Sequence, residues 1–203
     1  MEYLKIINGH NMSLFSDSKK ATLFLDRDGV INRRVVDGYV THPDELVILR
    51  GVTEAMAVFT SFFQRIIVVS NQQGVGKGIM TSGAVHRVHA YLKERIARAG
   101  GRIDGIYFCP ALESENHPWR KPSTGMALAA QNDFPEIEFS HAWMAGDSRS
   151  DMLFARRLNM RAVFIETEPT RETLSPDLFD LRFPSLLAFA HFLQNEQNST
   201  SRL

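Results

Sequence analysis

Residues 65–70, Arg-Ile-Ile-Val-Val-Ser, place four β-branched apolar side chains on consecutive positions. A strand with one wet face alternates polar and apolar residues. A run without alternation is apolar on both sides, and such a strand must be covered on both faces. Shorter runs of the same kind are read at Ala21–Leu25, Ile103–Cys109, Ala142–Ala145 and Ala162–Glu166. Between them lie stretches with helical spacing of apolar residues: Thr53–Phe63, Thr81–Ala99, Thr124–Asn132 and Ser148–Leu158. The second has Thr81 or Ser82 as its N-cap and stops at Gly100-Gly101. A last helix is read over Pro184–Leu193, with Pro in its first turn. Alternating strands and helices give right-handed βαβ crossovers. The predicted fold is α/β, a doubly wound parallel sheet. The spacing leaves no room for a large cap domain.

The chain has 203 residues, 44% of them hydrophobic, enough for one well-packed core over about residues 21–193. Residues 1–20 are polar and weakly patterned and read as a loose leader, with a short strand at Tyr3–Ile7 and Met12 as an alternative start. Residues 194–203 read as a frayed polar tail. Lys plus Arg and Asp plus Glu are 23 each, so the net charge is zero, and no nucleic-acid partner is expected. The single cysteine, Cys109, excludes an intramolecular disulfide and fits a reducing compartment. No signal peptide and no membrane-spanning run are read, so the expected location is cytoplasmic, without a membrane partner. The sequence carries no signal for oligomeric state.

In doubly wound sheets, ligands sit beyond the carboxyl ends of the strands. Those ends are followed here by Asp26-Arg27-Asp28-Gly29, by Ser70-Asn71-Gln72-Gln73-Gly74, by Cys109-Pro110 and by Gly146-Asp147-Ser148. On an extended chain Asp26 and Asp28 share a face, and Gly29 permits a sharp turn. Asp147 and Asp151 are four apart at a strand-to-helix junction, one helical turn on the same side. Either pair alone is an ordinary turn or helix cap. Together at one sheet edge, without Cys or His, they suit a hard cation with oxygen ligands, Mg²⁺ first. The stretch SNQQGVGKG (70–78) offers a hydroxyl and free amides to a phosphate, although it lacks the Gly-Lys-Ser/Thr ending of a P-loop. Arg120 and Lys121 precede a helix and can neutralise phosphate oxygens.

With these residues in order, LFLDRDGVIN (23–32), VVSNQ (68–72), RKP (120–122) and GDSRSD (146–151) resemble the four motifs of the haloacid dehalogenase superfamily of phosphatases. DGYV (37–40), SNQQGVGKG, GIYFCP (105–110) and RKPSTGM (120–126) are similar to the branch holding D,D-heptose 1,7-bisphosphate phosphatase and histidinol-phosphate phosphatase. The resemblance implies a Mg²⁺-dependent phosphatase acting on a small phosphorylated metabolite, heptose bisphosphate first. It implies Asp26 as nucleophile, forming an aspartyl-phosphate, and Asp28 as general acid and then base. It places Mg²⁺ on the Asp26 and Asp147 carboxylates and the Asp28 carbonyl, with Asp151 in support. Ser70 and Lys121 would bind the phosphoryl oxygens, and Asn71 and Arg120 would help hold the substrate.

The chain also departs from that pattern. The branch carries a zinc loop of three Cys and one His, whereas CPALESENHPWRKP (109–122) offers only Cys109 and His117. A structural zinc wants four N or S ligands, so no zinc is expected, and Cys109 reads as a half-buried strand-end residue. RRVVDGYV is about two residues longer than the family's loop, so the family's specificity roles are not carried onto Arg34 or Asp37. The lysine that follows the family's last motif aspartate is Ser148 here. His86 and His89 read as an exposed face of the long helix. Phe183, Leu186, Leu187 and Phe189 read as the packing face of the last one. The alternatives are a phosphatase for histidinol phosphate or a nucleic-acid 3′-phosphate, or a non-catalytic binding module on a phosphatase scaffold.

Overall fold

A computed structural model describes residues 21–166 and 174–200. Six parallel strands form one sheet in the order β3-β2-β1-β4-β5-β6. They are β1 (Thr22–Leu25), β2 (Arg65–Asn71), β3 (Gly105–Cys109), β4 (Trp143–Gly146), β5 (Arg161–Ile165) and β6 (Leu181–Phe183). The helices are α1 (Val52–Phe62), α2 (Ser82–Arg98), α3 (Gly125–Asp133), α4 (Arg149–Arg157) and α5 (Leu186–Thr200). The expected leader, with its strand at Tyr3–Ile7, lies outside the described residues.

Consecutive strand residues feed opposite faces, as a doubly covered sheet requires. Leu23 and Leu25 of β1 and Ile66 and Val68 of β2 pack with α1, α2 and α5. Phe24, Ile67 and Val69 pack with α3 and α4. The predicted strands and helices recur within a few residues at their ends. Thr81 caps α2, its side chain accepting from the Ala84 N–H at 3.1 Å.

Three expectations are corrected. β6 was not foreseen, and Phe183 belongs to it rather than to the last helix. It is three residues long, too short for a periodic signal. Residues 194–200, expected as a frayed tail, extend α5, whose outer side chains are exposed and free to be polar. His89 is buried at 5% exposure, while His86 is exposed as expected. His89 shares the α2 face of Val85, Val88, Leu92 and Ile96, so helical spacing does mark it as inward.

Strand order reverses direction at β1 and β4, which opens a crevice at their carboxyl ends. Leu25 is in register with Ala145, and the Asp26 N–H donates to the Ala145 carbonyl at 3.0 Å. Asp26 and Asp147 therefore leave the sheet side by side.

Candidate active site

Carboxylate oxygens of Asp26, Asp147 and Asp151 lie within 4.8 Å of one another. Two glycines allow this crowding. Gly29 has φ +95°, and a Cβ there would stand 2.0 Å from Asp147 Oδ2. A Cβ on Gly146 would stand 2.3 Å from Asp151 Cβ. Asp151 is fixed from α4 by a capping box: its Oδ2 accepts from the Ser148 N–H at 3.0 Å and hydroxyl at 2.6 Å.

Lys121 joins these groups from across the crevice. Its Nζ lies 2.6 Å from Asp26 Oδ1 and 2.6 Å from Asp151 Oδ1, and donates to the Val69 carbonyl at 2.8 Å. Burial opposes its charge, but Asp151 and Asp26 outweigh that and raise its pKa. Lys121 alone does not balance these three carboxylates, of which Asp26 and Asp151 are buried and Asp147, offset in part by Arg34, is partly buried. Burial, with Asp151 and Asp28 adding and Lys121 opposing, pushes Asp26 up to about 6. Burial and the Asp26 charge push Asp147 up to about 8.

The side chain of Asp28 turns toward a polar cluster rather than toward these carboxylates. It accepts from Arg27 Nη2 at 2.9 and 2.8 Å, from Asn32 Nδ2 at 2.9 Å and from Gln72 Nε2 at 2.7 Å. Burial alone would raise its pKa. The Arg27 charge and the donors more than offset this and lower it. Arg27 is completely buried, and its Nη1 lies 3.0 Å from His89 Nε2. Burial and the Arg27 charge hold His89 down at about 3, so the ring is neutral and accepts from the guanidinium. Arg27, Asn32, Gln72 and His89 were not singled out as site residues. The signal was present: if Asp26 and Asp28 face the crevice, Arg27 between them faces inward.

The remaining expected residues divide. Ser70 lines the crevice, its hydroxyl accepting from Gln72 Nε2 at 2.7 Å. The Asn71 side chain bonds both backbone groups of Lys121, at 3.1 and 3.0 Å, and so fixes that lysine's position. Arg120 is not part of the crevice wall; its Nη1 donates to the Ala111 carbonyl at 3.4 Å. Two cations not assigned from sequence, Arg34 and Lys77, do line the cavity, which has a volume of about 560 Å³. That size suits a small metabolite. Arg34 Nη2 donates to both Asp147 oxygens, at 2.7 and 2.9 Å, and to the Asp28 carbonyl at 3.1 Å.

These donors fit a divalent cation. They are hard oxygens, they carry excess negative charge, and the Asp28 carbonyl and Asp147 carboxylate already hold a cationic group. Among the described residues this carboxylate cluster is the one group of three or more His, Cys, Asp or Glu side chains placed to hold a metal. Cys109 is fully buried, not half-buried, and its sulfur lies 3.7 Å from His117 Nδ1. Burial pushes its thiol up, away from the thiolate a metal needs.

A HAD-hydrolase-like family model matches residues 118–180. A D-glycero-alpha-D-manno-heptose-1,7-bisphosphate 7-phosphatase of Mycobacterium tuberculosis is 36% identical, over 83% of this chain and 88% of the relative. The chain belongs to the HAD-like hydrolases. A second relative in that family, from Neisseria meningitidis serogroup B, is 31% identical over 87% of this chain and 96% of its own length. It is named for the beta form of the same bisphosphate. The crystal structure of D,D-heptose 1,7-bisphosphate phosphatase from B. bronchiseptica, complexed with magnesium and phosphate, superposes with a TM-score of 0.77. It is 25% identical, over 87% of this chain and 99% of its own.

Proposed function

We propose that this chain is a Mg²⁺-dependent phosphomonoester hydrolase that takes the 7-phosphoryl group from a D-glycero-D-manno-heptose 1,7-bisphosphate. The observation that carries this reading is the meeting of Asp26, Asp147 and Lys121 at the β1–β4 crevice. Relatives at 31% and 36% identity, named for that substrate in its beta and alpha forms, support it. They leave both anomers as candidates.

Asp26 is the nucleophile: its carboxylate attacks phosphorus, and the bond from phosphorus to the sugar oxygen breaks. Lys121 draws the Asp26 carboxylate toward the incoming group and offsets charge on the phosphoryl oxygens. Ser70 offers its hydroxyl to those oxygens. Asn71 acts through Lys121 by holding its backbone. Asp26, Asp147 and the Asp28 carbonyl would hold Mg²⁺, which when bound offsets repulsion between phosphate and carboxylate. Asp151 steadies Lys121 from behind.

Asp28 has two duties. As a base it takes a proton from the water that attacks the phosphorylated Asp26, and the four hydrogen bonds it accepts from Arg27, Asn32 and Gln72 keep it in the charged form this needs. As an acid it first has to gain a proton for the leaving alkoxide. That requires at least one of the Arg27, Asn32 or Gln72 bonds to loosen when substrate binds.

The test is phosphate release from a panel holding both heptose bisphosphate anomers, histidinol phosphate and a 3′-phosphorylated oligonucleotide, with and without Mg²⁺. The expected result is Mg²⁺-dependent release with a heptose bisphosphate giving the highest kcat/KM. Release only from another member overturns the substrate, and no release from any member overturns the enzyme.

A further inference from the structure

Resting on that reading of the metal site, we propose that Arg34 is a substrate-binding residue released by Mg²⁺. The metal displaces its guanidinium from Asp147 and the Asp28 carbonyl, and the freed guanidinium takes a phosphate oxygen of the substrate.

Arg34 reaches the corner where Asp147 meets the backbone of Asp28. Nη2 donates to both oxygens of Asp147 and to the Asp28 carbonyl. These are two of the three groups read here as cation ligands. One nitrogen that bridges both stands where a metal ion bridging them would stand, and two cations in that space repel each other. Gly29 keeps this corner open, since a Cβ there would stand 2.0 Å from Asp147 Oδ2, the carboxylate that Arg34 holds. Arg34 is therefore a monovalent occupant of a place whose donors suit a divalent one.

The two partners of this ion pair are not equally buried. The Arg34 side chain is 49% exposed, while Asp147 is 10% exposed. An arginine that is half in water retains bulk solvation when it leaves, and its exposed pair is weakly held. Once displaced, the guanidinium still lies on the cavity wall with Lys77 and Lys121. Its nearest anionic carboxylate is then engaged elsewhere, and phosphate supplies the planar pair of acceptors that a guanidinium matches. The order of events gives a direction to the site: metal first exposes a phosphate ligand that the metal-free site keeps occupied. Linkage requires the reverse as well, so phosphate must tighten Mg²⁺ binding through Arg34.

The test is calorimetric titration of MgCl₂ into the wild type, Arg34→Gln, Arg34→Lys and Asp147→Asn, each with and without inorganic phosphate. Without phosphate, Arg34→Gln should bind Mg²⁺ about three- to tenfold more tightly than wild type, the size expected for releasing a partly exposed ion pair. The factor by which phosphate tightens Mg²⁺ binding should shrink in Arg34→Gln and survive in Arg34→Lys. Unchanged or weaker Mg²⁺ binding in Arg34→Gln, with wild type binding and Asp147→Asn not, overturns the role of Arg34 and leaves the metal site standing. Tighter binding with an undiminished phosphate effect overturns the substrate half of the proposal. Equal Mg²⁺ binding in Asp147→Asn and wild type, or none in wild type, overturns the metal site and this inference with it.

Discussion

Lys121 Nζ lies 2.6 Å from Asp26 Oδ1 and is held there from the far side by Asp151 at the same distance. The lysine is 4% exposed and Asp26 6%. A buried ammonium between two carboxylates is costly to desolvate, and removing it strands the carboxylates rather than relieving them.

Lys121→Met should therefore destabilise the metal-free protein by about 3 kcal/mol near neutral pH, the range for breaking a buried ion pair. The loss should shrink as pH falls. Without the ammonium, Asp26 and Asp147 titrate still higher, so the folded variant takes up protons earlier than the folded wild type and gains stability relative to it in acid. Urea melts at two pH values check this. A loss that grows on acidification contradicts the charge balance described here.

His89→Gln tests the cluster behind Asp28. His89 is held at about 3 against an ordinary 6.5, so between those values the unfolded chain carries a proton that the folded chain refuses. Its contribution to stability is complete above 6.5 and declines as pH drops, by at most about 1.4 kcal/mol per pH unit. Glutamine has no such proton and can still accept from Arg27. The stability difference, wild type minus variant, should fall on acidification from neutrality. A difference flat in pH would mean that folded His89 takes up its proton as readily as the unfolded chain does.

Much of this arrangement is legible in the sequence. Consecutive apolar runs betray strands covered on both faces, and the residues just after them are where a doubly wound sheet keeps its chemistry. Asp26, Asp147, Asp151 and Lys121 do meet. What escaped was contact-level assignment. Arg120, expected to help hold the substrate, bonds the Ala111 carbonyl, while Asn71, expected in the same role, lines the cavity and also holds the lysine backbone. Side-chain direction on loops depends on which partner lies across the crevice, and sequence spacing does not carry that. Arg34 reaches residue 147 across 113 positions, a relation set only by folding.

Purified without chelator, the protein should contain well under one zinc per chain by elemental analysis. The buried Cys109 thiol and His117 supply two of the four ligands a structural zinc needs. A full equivalent, lost with thermal stability in Cys109→Ser, would reveal a ligand set not described here.

Asp28→Asn should leave Mg²⁺ affinity nearly unchanged, because the backbone carbonyl rather than the side chain faces the metal site. Turnover of a sugar phosphate should fall by about 10²–10⁴-fold, the range for loss of a general acid–base group. Nitrophenyl phosphate has a leaving group that needs little protonation, so its phosphorylation of Asp26 should suffer less. Equal slowing of both, or a weakened metal site, would reassign Asp28 to the metal.

In the proposed mechanism Asp26 carries the phosphoryl group. Asp28→Asn retains the nucleophile and loses the base, so acid quenching of it with ³²P-labelled nitrophenyl phosphate, whose leaving group needs little protonation, and Mg²⁺ should trap phosphoprotein. Peptide mapping should place the label on Asp26, and Asp26→Asn should trap none and lose more than about 10³-fold in turnover while keeping its fold. Label on another residue, or an Asp26→Asn protein with a tenth of wild-type activity, would contradict the account.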